Sequence, residues 1–220
     1  MQQQRTLYVG SGSPYAWRVW LALEHKALRY DLRVLSFSGG DLKTPAFAAM
    51  NPRCKVPVLD DDGFVMYESA AVVDYIADAY DDVGAPLFPS DIKARAIARR
   101  KIREADEYVA QSMERLVERV LFTPRDQWDH DKISTAREQF LAELAYFERD
   151  LTGDFLVGEL GAADFTLYPL LALPLRMESR TKPDLDIAAH IGPRLTAWMR
   201  RLEALPFFAT TYPPHWRAAS

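Results

Sequence analysis

NPRCKVPVLDDDGFVMYESAAVVDYI, residues 51–76, runs from a proline-marked loop through two short apolar stretches into a helical pattern. Pro57–Leu59 and Phe64–Tyr67 are strand-like, and Asp61-Asp62-Gly63 between them is a strong hairpin turn signal. From Ser69 the period changes, with Val73, Ile76, Ala77 and Tyr80 falling on one helix face. Upstream, Thr6–Val9 reads as a strand, Pro14–His25 as a helix, Tyr30–Leu35 as a second strand and Thr44–Met50 as a short helix. The order is therefore βαβαββα. A βαβ unit implies a parallel pair and the Asp-Gly hairpin an antiparallel one, so the sheet is predicted to be mixed.

The grammar changes after residue 80. Residues 81–89, DDVGAPLFP, are rich in turn formers and read as a linker. From residue 90 to 220 the pattern is helical throughout. Ile102, Ala105, Val109, Met113, Leu116 and Val120 step by three and four, as do Phe140, Leu144, Phe147 and Leu151, and Leu195, Trp198, Leu202 and Leu205. One long helix is predicted from Asp91 to Phe122. Thr166–Met177 is apolar on nearly every side and is predicted to be the buried central helix of a bundle. Pro169 fits its first turn, and Pro174 is expected to kink it or end it early.

Composition narrows the function. The 220 residues are 49% hydrophobic and 26% charged, as in an ordinary globular protein. A net charge of −4 argues against a nucleic-acid or anionic-membrane partner. No apolar run reaches transmembrane length, and MQQQRTLYVG lacks the layout of a signal peptide. The single cysteine, Cys54, suits a reducing compartment, so a cytoplasmic location is expected. The four histidines have no neighbours at metal-ligand spacing, and no metal is expected.

Three short motifs carry chemistry. In Ser13-Pro14-Tyr15-Ala16 the serine is a good helix N-cap and the proline a good first helical residue. The same helix start, following the first strand, also favours a bound anion. At Val56-Pro57, proline can simply mark the start of a strand. A cis bond there would turn the Val56 backbone groups outward toward an extended peptide ligand. Sequence leaves both open. At Tyr67-Glu68-Ser69, Ser69 reads as an N-cap. A carboxylate held at that helix start, with an ammonium beside Glu68, makes an amino-acid head group.

With these motifs in place, the whole chain resembles the cytosolic glutathione transferases of the serine type, tau- and zeta-like. SPYAWRVWLALEHKALRYD is similar to the first helix and second strand of those classes. SPYA stands where glutaredoxins and thioredoxins carry Cys-Pro-Tyr-Cys. NPRCKVPVL followed by YESAAVVDYI is similar to the glutathione-binding core, and FLVGELGAAD resembles the family's FLxGxxxSxAD signature. The resemblance implies a thioredoxin-like α/β domain over residues 1–80 and an all-helical domain over 90–220.

It also implies a site. Ser13 would donate a hydrogen bond to the glutathione sulfur, and Val56, ahead of cis-Pro57, would pair with the cysteinyl unit. Glu68 and Ser69 would hold the γ-glutamyl head group, with Lys43 and Lys55 near the glycyl carboxylate. A small hydrophobic electrophile would bind between the domains, walled by Tyr15, Phe37, Tyr108, Ser112 and Trp216. A homodimer and glutathione as co-substrate are expected, in detoxification. Two departures from the family pattern stand out. Cys54 lies where a small residue, often glycine, is usual, and Gly161 replaces the Ser/Thr cap of the helical signature while Asp164 keeps half of the capping box. The alternatives are a non-catalytic binding or assembly module of the same fold and a glutathione-dependent isomerase or dehalogenase; a thiol–disulfide oxidoreductase is disfavoured by serine at position 13.

Overall fold

A computed structural model describes residues 4–217. The chain forms two compact units, one running to Phe88 and including the segment from Leu205 onward, the other Pro89–Ala204. The first holds β1 (Arg5–Gly10), α1 (Pro14–His25), β2 (Asp31–Leu35), α2 (Pro45–Met50), β3 (Val58–Asp61), β4 (Phe64–Tyr67) and α3 (Ser69–Ala79). The sheet order is β2-β1-β3-β4. β1 and β2 are parallel, while β1–β3 and β3–β4 are antiparallel, which is the mixed sheet predicted. Leu7, Val9, Val19, Leu23, Val58, Leu59, Val72 and Ile76 form its core.

The hairpin differs in detail from the sequence expectation. Asp61 pairs with Phe64, so the loop is Asp62-Gly63 alone. Both residues have positive φ, +57° and +89°, the geometry that matches strand twist in a two-residue turn. Asp61 joins the strand because its carboxylate has buried partners. Arg5 lies opposite it with 3.3 Å between guanidinium and carboxylate, and the Tyr75 and Tyr80 hydroxyls both donate to Oδ2.

In the second unit the helix predicted from Asp91 to Phe122 is present as α4 (Ile92–Glu104), a π-helical turn (Ala105–Val109) and α5 (Ala110–Leu121). Asp91 caps it, accepting from Lys93 N and Ala94 N at 3.1 and 2.8 Å. α6 (His130–Asp150), α7 (Ala162–Arg180) and α8 (Pro193–Glu203) complete the unit. α7 is the buried central helix, packed on α4 and α5. It starts four residues earlier than expected, so Pro169 lies beyond its first turn, and Pro174 does not end it. Each interior proline removes a helical hydrogen bond at a cost of roughly 3 kcal/mol, but the flanking side chains are buried and packing carries the helix through.

The start of α7 is set by Asp164. Its Oδ2 accepts from Gly161 N at 3.0 Å, and its Oδ1 accepts from Leu156 N and Trp198 Nε1 at 2.9 and 2.8 Å. Half of the capping box is thus enough, because the carboxylate also gathers a loop amide and an indole.

The segment from Leu205 onward joins the first unit through aromatic packing. It carries α9 (Phe208–Thr211), which packs on α1. Trp17 of α1 meets Phe208, Tyr212 and Trp216 at ring-centroid distances of 5.9, 5.9 and 5.5 Å, and its Nε1 donates to Thr211 Oγ1 at 3.0 Å.

Candidate functional site

Strand register brings the three motifs together. Gly10 is level with Leu35, Tyr8 with Val58, and Val58 with Tyr67. One end of the sheet therefore carries the turn after β1 with Ser13, the start of the loop after β2 with Phe37, the Val56-Pro57 lead into β3, and the β4–α3 junction with Glu68 and Ser69. The N-termini of α1 and α3 open at this same end. Their free amides and dipoles give it a positive character suited to anionic groups.

Ser13 sits in extended backbone, φ −68° and ψ 118°, and caps α1 ahead of Pro14. Its Oγ accepts from Ala16 N at 3.3 Å, and its N–H donates to Gly10 O at 3.0 Å to close a tight turn. Accepting a cap bond uses an oxygen lone pair and leaves the hydroxyl proton available for donation.

The Val56-Pro57 bond is cis, the alternative that sequence left open. The loop before it is tied by Asn51, which is 2% exposed. Asn51 Nδ2 donates to Lys55 O at 2.7 Å, and its Oδ1 accepts from Arg53 N at 3.0 Å. Cys54 has φ +52°, which explains why a glycine suits this position.

At the β4–α3 junction the structure corrects the expected cap. Ser69 is the first residue of α3, and the N-cap position is held by Glu68, with no side-chain cap bond. The strand must turn into the helix within one residue, so Glu68 takes φ +68° and ψ +99°, costly for a side chain bearing a Cβ. Ser69 is buried, while Glu68 points into solvent with Oε1 3.7 Å from Arg53 Nε.

The remaining expected residues are placed as follows. Lys43 and Lys55 are exposed, Lys43 on a 3₁₀ turn just before α2. The Phe37 ring lies directly over Gly10, where an added Cβ would come within 2.2 Å of it. Tyr15 is half-buried with the Arg18 guanidinium 5.4 Å from its ring centre. Trp216 is 5% exposed within the aromatic cluster on α1. In the second unit, Tyr108 is exposed on the π-helical turn, whereas Ser112 is buried and donates to Val109 O at 2.9 Å. Arg53, beside Glu68, was not singled out from the sequence: it lay inside a motif, but no spacing rule links it to Glu68.

These features define a class: a thioredoxin-like sheet with an anion-favouring end, followed by an all-helical unit. Family models for the glutathione S-transferase N-terminal domain and C-terminal domain match residues 12–79 and 96–206. The chain belongs to the glutathione S-transferase family. It is 28% identical to glutathione S-transferase A of Pleuronectes platessa, covering 98% of this chain and 94% of that one. It is 25% identical to the maleylacetoacetate isomerase of Dictyostelium discoideum over 96% of this chain and 94% of that one. Among solved structures, a glutathione S-transferase from the Antarctic clam Laternula elliptica superposes with a TM-score of 0.82 at 29% identity, covering 99% of this chain and 95% of that one.

Proposed function

We propose that this glutathione transferase binds glutathione across the Ser13 end of the sheet and transfers its sulfur to a small apolar electrophile. The observation that carries this is the strand register, which sets Ser13, the Val56-Pro57 turn and the Glu68–Ser69 junction side by side. Glu68 pairs with the ammonium of the γ-glutamyl group, whose carboxylate meets Ser69 and the first amides of α3. Val56 pairs through its backbone with the cysteinyl unit, and Lys43 and Lys55 face the glycyl carboxylate.

The chemistry follows from ionisation. A free thiol has a pKa near ~8.5, so only a small fraction is thiolate at neutral pH. The Ser13 hydroxyl and the positive end of α1 favour the anion, and each pKa unit is worth about 1.4 kcal/mol. The thiol proton leaves to solvent, the sulfur lone pair forms the C–S bond, and the displaced group departs with its bonding pair. Phe37 and Tyr15, at the Ser13 end of the first unit, are the residues proposed to contact the electrophile.

A second reading, glutathione-dependent isomerisation, is favoured by the relative from Dictyostelium discoideum and by one from Drosophila melanogaster, both named maleylacetoacetate isomerases, the latter as probable. WRV after SPYA resembles that class, although its Ser-Ser-Cys is absent. A panel of aryl halides, alkyl halides and cis-enones with glutathione, followed by mass spectrometry, separates the two. Transfer gives an adduct and consumes glutathione; isomerisation changes the alkene and returns glutathione. Neither product with any electrophile would leave a binding module.

A further inference from the structure

The Ser11-Gly12-Ser13 turn is gripped by a residue far away in the chain. Ser11 Oγ lies 2.5 Å from His215 Nδ1, and the backbone N–H of His215 donates to the same oxygen at 3.5 Å. The hydroxyl oxygen has two acceptor lone pairs and one proton, so which of the two groups donates in the Ser11–His215 bond follows the imidazole tautomer. The imidazole rests against Gly12. An added Cβ there would lie 2.8 Å from His215 Cε1 and 3.0 Å from Trp216 Nε1, and Gly12 has φ +83°. Gly10, two residues earlier, is covered by the Phe37 ring. The two glycines let rings approach the turn closely. The grip is anchored, since Trp216 is buried edge-on against Trp17 and Tyr212.

We propose that His215 is a positioning residue for Ser13, acting through Ser11, and that the C-terminal segment is thereby part of the thiolate site. The inference rests on the reading of Ser13 as the thiol's hydroxyl donor. Ser13 follows Gly12, and its Oγ accepts a long cap bond from Ala16 N at 3.3 Å. Fixing Ser11 restricts the turn and so the arc over which the hydroxyl can point. Loss of a typical hydrogen bond corresponds to roughly three- to tenfold in an equilibrium or rate. The effect should appear in sulfur ionisation and turnover, with glutathione affinity little changed.

The test uses the ultraviolet absorbance of bound glutathione thiolate against pH, which needs no knowledge of the electrophile. The variants are Ser13→Ala, Ser11→Ala, His215→Ala, the Ser11→Ala/His215→Ala double, His215→Gln and His215→Phe, each checked for glutathione Kd and melting temperature. Ser11→Ala and His215→Ala should each raise the bound thiol's pKa, and the double should go no further than either. His215→Gln, which can still bond the hydroxyl, should restore most of the wild-type curve, and His215→Phe, which fills the space without the bond, should not. Wild-type curves for Ser11→Ala and His215→Ala beside a shifted Ser13→Ala would overturn the role of His215 and leave that of Ser13 standing. A wild-type curve for Ser13→Ala would overturn the underlying reading and the inference with it. Full restoration by His215→Phe would mean that the ring serves only as packing, which also overturns it.

Discussion

Arg53 Nε stands 3.7 Å from Glu68 Oε1, with both side chains largely in solvent. A pair so exposed contributes little to stability and is weakened by salt. Its consequence is chemical. Glu68 is held out from the β4–α3 junction with its carboxylate accessible, and a cation already stands near it.

The first expectation concerns this carboxylate. Glu68→Ala should weaken glutathione binding by roughly 1.5–3 kcal/mol, the range for a hydrogen bond to a charged group. Calorimetry reads this directly, and an unchanged affinity would remove Glu68 from the site. The fold should survive, because the Glu68 side chain makes no cap bond.

Ser13 separates two roles in one substitution. As a cap, Ser13→Ala should cost about 1 kcal/mol of stability. As a hydroxyl donor, it should also raise the pKa of bound glutathione and slow conjugation, with binding nearly unchanged, because the bond matters most to the anion. Ser13→Cys should shift the chemistry toward mixed disulfides with glutathione. Titration of the bound thiolate alongside thermal melts distinguishes cap from donor.

Asp164 should dominate the stability of the helical unit. Asp164→Ala leaves the Leu156, Gly161 and Trp198 donors without their acceptor, at about 1–3 kcal/mol each if they stay buried. A fall of at least about 3 kcal/mol in urea unfolding is expected.

The pH dependence of Asp164 has a definite sign. Burial pushes its carboxyl up to about 6, against the opposing pull of N–H donors from Leu156, Trp198, Gly161 and its own backbone. The folded state therefore binds this proton more tightly than the unfolded chain does. The cost of burying the ionised form is fully present above pH ~6 and is relieved as pH falls toward 4. Relative to Asp164→Asn, the wild type should gain stability between pH 7 and pH 4. Parallel unfolding curves for the two across that range would contradict this.

A two-fold homodimer is expected from the family resemblance and from the long helix, which leaves Ile92, Ile97, Tyr108, Leu121 and Phe122 exposed. Light scattering at micromolar concentration should give about twice the chain mass of 25.1 kDa. A mass near that of one chain would rule the dimer out.

Sequence alone determined what local chemistry can encode. Asp62-Gly63 specified a hairpin because two adjacent residues had to accept positive φ. Ser13-Pro14 specified a helix start, because a side-chain acceptor and a missing N–H both suit that position. Apolar periods of three and four marked the buried faces at Ile102–Val120 and Phe140–Leu151. The resemblance added expected partners for each motif, still one segment at a time.

Tertiary structure decided what depends on groups distant in the chain. Ser69 looked like a cap, but the geometry of the β4–α3 turn put Glu68 at that position. Pro174 looked like a kink or an early helix end, but α7 continues to Arg180 because burial around it outweighed one lost hydrogen bond. Asp61 looked like a turn residue until Arg5, Tyr75 and Tyr80 closed on its carboxylate. His215 carried no signal at all, since nothing in residues 205–217 refers to Ser11. Their meeting follows from aromatic packing on Trp17, and a contact made by packing is written in the sum of many burial energies, never in a local motif.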